Sequence, residues 1–266
     1  MDFRAYYRDA LRGITAAFMP TSNPNLWWSA VAAWVVLVLA YWMAAKPLIF
    51  PSPLDIVQAL PTLWTDGGLG QELLTSLTVN VEALLLTLAV TLPIAYTYRV
   101  PAFKPLGLGL AALRTVSPAV FFLLLLFLTD GGQQLKVVML AMGETFFLMQ
   151  TMIGVVKEIP EFRFDDARTL RMSEWRSTWY VVIRGTLAQT FDAVRDIEAM
   201  GWSMLLMVEG YVRSGGGVGV MTRNFEKHQD FAQVYAIALA IIVVGILKDY
   251  GFGILKGAAC PWTVKR

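Results

Sequence analysis

The sequence predicts an all-α polytopic membrane protein with about six transmembrane helices, and three observations lead there. Of its 266 residues, 56% are hydrophobic and only 16% are charged, and the mean hydropathy is +0.55. A soluble domain of this length does not need so apolar a chain. The apolar residues are also gathered into uninterrupted runs long enough to cross a bilayer, such as Leu26 to Ala45. Finally, the charge that remains is concentrated in one stretch, Glu158 to Arg184. It holds five arginines (Arg163, Arg168, Arg171, Arg176, Arg184) and five acids (Glu158, Glu161, Asp165, Asp166, Glu174).

Taken in order, residues 1–25 form an amphipathic interfacial segment, with Arg4, Arg8 and Arg12 set among Phe3, Tyr6 and Tyr7. Residues 26–266 form the transmembrane domain. The alternative of a cleavable leader is disfavoured, because the run from Leu26 is too long for the apolar part of a signal peptide. Pro47, Pro51 and Pro53 then forbid a continuous helix. A second run, Thr75 to Tyr98, contains Glu82, which fits a membrane boundary better than a pore, and Pro93, which can kink the helix. A third, Leu106 to Thr129, contains Arg114 and the Ser117-Pro118 pair. That pair is either a plain kink or an opening of the backbone ladder on a translocation path.

After the turn Asp130 to Gln134, the fourth run, Val137 to Val156, carries Glu144 far from either end. It is either a functional interior charge or a structural acid satisfied by a partner. The polar loop 157–184 follows. Within it Phe164, Ala167, Leu170 and then Trp175, Trp179, Val182 recur at three- and four-residue spacing, the mark of a helix with one apolar stripe. The fifth run, Thr186 to Val208, is broken by Asp192, Arg195, Asp196 and Glu198. Their spacing lets them neutralise one another on one helical face. Ser214 to Gly217 reads as a flexible turn, and Phe231 to Leu247 is the sixth run.

Several chemistries are excluded. The single cysteine, Cys260, gives no disulfide framework or thiolate cage. The single histidine, His228, gives no metal cluster and no nucleophile–base pair, and reads as a polar loop residue. No phosphate-cradling G-x-x-x-x-G-K-[ST] occurs, so the chain does not hydrolyse ATP itself. No catalytic residue and no metal ligand is assigned, and a net charge of +2 gives no sign of nucleic acid. With the amino end in the cytoplasm, seventeen of the twenty-two basic residues fall on or near the inner side.

Asp165-Asp166-Ala167-Arg168-Thr169-Leu170, with Ser173, Trp175 and Val181-Val182-Ile183 after it, resembles the cytoplasmic EAA loop of bacterial ABC-importer permeases. The similarity is to the nitrate/sulfonate/taurine branch, where the run reads E-A-A-R-T-L-G-A-S-x-W followed by V-V-L-P. Pro51-Ser52-Pro53 with Val57, Leu113-Arg114 with Pro118, Gly201-Trp202 with Glu209, Gly217-Val218-Gly219, and Asp249 also resemble that branch. Arg171 stands where it has a glycine and Arg184 where it has a proline, which marks a divergent member.

The resemblance implies a type I ABC-importer permease in the bacterial inner membrane, multi-pass, with its amino terminus cytoplasmic. Asp165, Asp166, Ala167, Arg168, Leu170, Arg171, Ser173 and Trp175 would form the coupling helix that docks on an ATPase subunit. Ser117, Pro118, Glu144 and Glu209 are candidates for the translocation path. The implied partners are ABC ATPase subunits, a second permease copy or paralogue, an external substrate-binding protein and the lipid bilayer. ATP and Mg²⁺ would be bound by the ATPase and no cofactor by this chain. The implied solute is a small oxyanion such as nitrate, a sulfonate or taurine, or bicarbonate. The alternatives are a plain solvated loop between spans, a membrane-embedded enzyme or anchoring subunit using Glu144, Glu209 and His228, or a secondary transporter. The last is disfavoured because the six runs show no internal repeat.

Overall fold

The structure, a computed structural model, describes residues 24–45 and 51–263, and its regular elements are all helical. The interfacial segment expected over residues 1–25 lies, up to residue 23, outside the described residues. The chain divides into two units, residues 1–54 and 55–266. In the first, α1 (Pro24–Ala45) is the helix of the first apolar run, and Trp34 to Val38 along it are exposed.

In the second unit, α2 (Pro53–Thr65) leads through Gly67 and Gly68 into α3 (Leu69–Tyr96). Next come α4 (Lys104–Ala112) and α5 (Phe122–Leu128), then α6 (Gly132–Lys157). The polar loop holds α7 (Phe162–Thr169) and α8 (Glu174–Ser177). Beyond it lie α9 (Leu187–Tyr211), α10 (Val218–His228) and α11 (Phe231–Ala259).

Three of these helices, α3, α6 and α11, are long and apolar enough to cross a membrane. The third run is not the continuous helix that the sequence suggested. Lys104–Thr115 and Pro118–Leu128 meet at 102°. Pro118 lacks an N–H and forces Ser117 into extended geometry (φ −64°, ψ 133°), so the helical ladder stops there. The bent pair nevertheless crosses the bundle. Contacts Glu82–Gln133, Thr87–Glu144 and Tyr98–Lys157 show that α3 and α6 run in the same direction, so the chain between them must return from one end to the other. The fifth run, α9, has 25 residues but carries four charges among its first twelve.

The most buried span is α6: 67% of its apolar window lies inside the fold, against 11% for α11. Helices α3, α4 and α9 pack on it. Three apolar clusters line up along its axis. One end holds Leu125, Leu135, Met139, Val208 and Val212, the middle Val79, Leu140, Trp202 and Leu205, and the far end Leu148, Met152, Val156, Ile197 and Val182. On α3 the buried face begins with Leu69 and Leu73, and beyond them, Val79 apart, it is small or polar: Ser76, Asn80, Ala83, Thr87, Thr91 and Ala95. Such residues let two backbones approach closely in lipid, and the Thr87 hydroxyl donates to the Ala141 carbonyl of α6 at 3.2 Å.

Three of the four charges in the first half of α9, Asp192, Arg195 and Glu198, pair across to α11 instead of forming the pairs along their own helix that their spacing had suggested. Lys256 donates to Asp192 at 2.6 and 2.7 Å, Arg195 grips both oxygens of Asp249, and Lys248 pairs with Glu198. The outer two pairs are substantially exposed, whereas Lys248 and Glu198 are only 15% and 5% exposed. A charged pair this deep gains far more from its partner than one in water, so removing one member leaves an uncompensated charge. Lys248→Met is therefore expected to destabilise the protein by about 3–5 kcal/mol. Adding Glu198→Gln should recover most of the loss, read as the melting midpoint in detergent.

Candidate functional site

The polar loop is an ordered elbow at the end of the bundle where α6 finishes and α9 begins. It is fastened to the α3–α4 turn: the Arg99 guanidinium lies 3.9 Å from the centre of the Phe164 ring and 3.5 Å from the Glu161 carboxylate. Helix α7 ends on a left-handed residue, Arg171, at φ 51°. The Arg171 N–H donates to the Arg168 carbonyl at 2.9 Å and the Met172 N–H to the Ala167 carbonyl at 3.0 Å. This is the hydrogen-bond pair that closes a helix around such a residue. The turn that glycine serves in the related loops is thus kept, with arginine bearing the conformation.

Ser173 then caps α8, its hydroxyl accepting from the Arg176 N–H at 3.5 Å. The helix continues into a wide turn, Thr178–Ile183, in which the Arg184 N–H reaches the Trp179 carbonyl five residues back at 3.0 Å. A proline at 184 would have no N–H for that bond, which accounts for the departure from the V-V-L-P pattern. Gly185 is required at the exit: a Cβ there would sit 2.1 Å from the Val181 carbonyl oxygen.

Of the eight residues the sequence assigns to coupling, seven are exposed: Asp165, Asp166, Arg168, Leu170, Arg171, Ser173 and Trp175. Ala167 is turned inward, at 3% exposure. The expected single apolar stripe splits, because α7 stops before Leu170. Phe164 and Ala167 face the bundle with Val182, while Leu170, Trp175 and Trp179 face outward. Between the elbow and the α3–α4 turn lies a cleft of about 560 Å³, lined by Tyr96, Arg99, Phe164, Arg168, Ser177 and Val182 among others.

Deeper in the bundle, Glu144 is buried at 1% exposure. One carboxylate oxygen lies 2.8 Å from the Thr87 hydroxyl and shares its single proton with the Ala141 carbonyl, while the other has no hydrogen-bond partner and fills the notch left by Gly201 on α9. A Cβ on Gly201 would fall 2.0 Å from that oxygen. One turn away, Lys248 donates to Asn80 Oδ1 at 2.5 Å, pairs with Glu198, and lies 3.9 Å from the centre of the Trp202 ring. The Trp202 indole N–H in turn donates to the Ile241 carbonyl at 3.1 Å.

Four helices thus contribute to one polar seam. Reading the sequence missed Asn80, Glu198 and Lys248 as its members. The available signal was the presence of ionisable groups in two different apolar runs. Pro118, at the break of the bent span, packs on Gly143, the residue before Glu144 on α6, with the exposed Ser117 beside it.

Glu209 lies elsewhere, at the opposite end of the bundle from the elbow. Its carboxylate accepts from the Ser76 hydroxyl and from the Gly219 N–H, both at 2.7 Å, while the Val218 N–H donates to Ser76 at 2.8 Å and the Gly217 N–H to Glu72. Lys136 Nζ holds the Gly216 carbonyl at 2.5 Å. These bonds satisfy the free N–H groups at the start of α10. The glycine turn, with Gly217 at φ +107° and a Cβ there only 2.3 Å from Glu209, is therefore a fixed cap and not a flexible connection. His228 bonds the Asn224 carbonyl at 2.7 Å in the last turn of α10, apart from both Glu144 and Glu209. Among the described residues no three His, Cys, Asp or Glu side chains gather as a metal-binding group.

The helical bundle has counterparts among solved membrane-transporter chains. The fold matches chains from two crystal forms described as inward-facing conformations of the MetNI methionine ABC transporter. TM-scores are 0.64 and 0.62 at 14% and 16% identity, covering 74% of this chain and 97% of each of those. In sequence the chain resembles the taurine transport system permease protein TauC of Escherichia coli (strain K12), at 22% identity over 245 residues, or 88% of this chain and 89% of that protein. No protein-family model matches the chain.

Two substitutions probe these local geometries. Gly201→Ala should lower the melting midpoint by the equivalent of about 1–3 kcal/mol, through overpacking against Glu144. Combined with Glu144→Ala, it should cost clearly less than the two single changes added together. Arg171→Gly should stabilise the chain by about 1 kcal/mol, because glycine takes the left-handed conformation without strain.

Proposed function

We propose that this chain is the permease subunit of an ATP-driven importer. It would work with two ATPase subunits that bind ATP and Mg²⁺, a second permease copy or paralogue, and an external substrate-binding protein. The observation that carries the reading is the elbow: an ordered, strongly polar turn whose nine exposed residues from Asp165 to Trp175 face away from the bundle while Ala167 and Phe164 anchor it. It is joined directly to α6, the central rod, and to α9. A push from an ATPase closing on ATP would reach both helices without passing through a flexible segment, a rigid-body lever.

The elbow is read as cytoplasmic. Its end of the bundle gathers Arg99, Lys104, Lys157 and the five loop arginines, while the α10 end holds Lys136, Arg213, Arg223 and Lys227. The six apolar runs then leave the amino terminus on the cytoplasmic side of a bacterial inner membrane. Ser117, Pro118 and Glu144 mark the proposed path, on the broken span, which packs on α6 at Gly143, and on the buried, half-satisfied carboxylate of the residue that follows it. Glu209 serves that path by fixing α10 at its mouth. The proposed solute is a small oxyanion, on the resemblance to the nitrate/sulfonate/taurine branch and to a taurine permease.

The assembled complex tests the coupling role. Cysteines placed at Leu170 and in the facing groove of the ATPase are expected to crosslink, with a yield that changes when ATP is added. A folded complex that gives no crosslink would sink the reading. Leu170→Asp is expected to reduce ATP-driven uptake roughly tenfold, as for loss of a central interface side chain. The melting midpoint should not change, because Leu170 is 68% exposed.

A further inference from the structure

The outward face of α8 and the wide turn is not used by the bundle. Trp175, Trp179 and Tyr180 are 66%, 44% and 51% exposed, and Arg176 and Arg184 are exposed beside them, while Val182 turns inward at 1%. Arg176, Tyr180 and Arg184 recur every four residues and so share one side of the turn, with the Trp175–Trp179 pair adjacent. The Arg184 guanidinium lies 5.6 Å from the centre of the Tyr180 ring, which holds it against the aromatic surface. Between Ser173 and Gly185 the one acid is Glu174. The face lies in the chain between the end of α6 at Lys157 and the start of α9 at Leu187, and a bilayer crossed by the apolar helix α6 would have one surface at that end.

We propose that this face is a binding site for the headgroups of anionic phospholipid. The two indoles and the phenol lie at headgroup depth, where such rings are favoured for having an apolar body and a polar edge. Arg176 and Arg184 take the phosphate through their forked N–H donors. The charge is complementary to an anionic leaflet and to little else in a bilayer. Arginine at 184 therefore has two uses: its N–H closes the wide turn, and its side chain reads the lipid. The site rests on the membrane placement of α6; it borders the proposed ATPase contact at Trp175, while Arg176, Trp179, Tyr180 and Arg184, which carry the lipid site, lie outside that contact.

The test titrates phosphatidylglycerol, phosphatidylcholine and inorganic phosphate separately into the purified full chain in neutral detergent, with bound lipid counted by native mass spectrometry. Phosphatidylglycerol is expected to be retained in preference to phosphatidylcholine, and Arg176→Gln with Arg184→Gln to weaken its retention roughly thirtyfold, the sum of two basic contacts at an anionic surface. Arg223→Gln, at the other end of the bundle, should leave it unchanged. The melting midpoint without lipid confirms folding of the double variant, in which the backbone bond from residue 184 persists.

Equal retention of the two lipids, or undiminished retention by the double variant, overturns the proposal. Competition by inorganic phosphate at the concentrations where phosphatidylglycerol binds would overturn it in favour of a free-anion site. Loss of ATPase co-purification in the double variant with lipid retention intact would overturn it in favour of a subunit contact.

Discussion

The bundle depends on how closely α3 and α6 approach. In hydrocarbon there is no water to accept a stray hydroxyl or amide, so buried polar groups must find partners inside the protein or stay costly. Ser76, Asn80, Ala83, Thr87 and Thr91 give α3 a narrow face that lets the two backbones meet, and the Thr87 hydroxyl then bridges them by donating to α6. Because these helices run in the same direction, the chain between them has to come back across the bundle. The break at Ser117-Pro118 gives that return its sharp bend. The position of Pro118 beside Gly143 thus follows from the α3–α6 pairing.

A second consequence concerns charge. Helix α9 carries five charged residues where an ordinary membrane helix carries none, and its partner α11 supplies Lys248, Asp249 and Lys256 against three of them. The outer two pairs contribute little each, since water screens them. The inner pair is different in kind: it joins Asn80 on α3 and faces Trp202, so α11, otherwise the least buried of the three long apolar helices, is held in register by a few polar contacts. At the other end Glu72, Ser76 and Glu209 do the same for α10 through its unpaired N–H groups.

Much of this was legible in the sequence. Uninterrupted apolar length identified the helices, because one physical quantity, hydrocarbon thickness, sets it. The run from Asp165 to Trp175 identified the elbow, because so polar a stretch has no place in lipid. Pairing was not legible. Spacing alone suggested that Asp192, Arg195 and Glu198 answer one another along α9, but a helix packed against a charged neighbour exchanges those local contacts for better ones across the gap. The glycines at 215–217 read as slack, since nothing in their order reveals that Glu72 waits to receive the Gly217 amide and Lys136 the Gly216 carbonyl. Arg171 and Arg184 read as departures, and only the backbone geometry shows that one accepts a left-handed turn and the other needs an N–H.

The wide turn from Thr178 to Ile183 has an implication for how the elbow is aimed. Its hydrogen bonds span five residues instead of four, so it lodges one residue more than an ordinary helix would over the same rise. Removing a single residue there would let the backbone close into regular geometry with the upstream arm nearly unmoved, whereas a deletion in the regular turns beside it would swing that arm by about 100° around the helix axis. The wide turn is the one place along this stretch where a change of length leaves the direction of the polar arm alone.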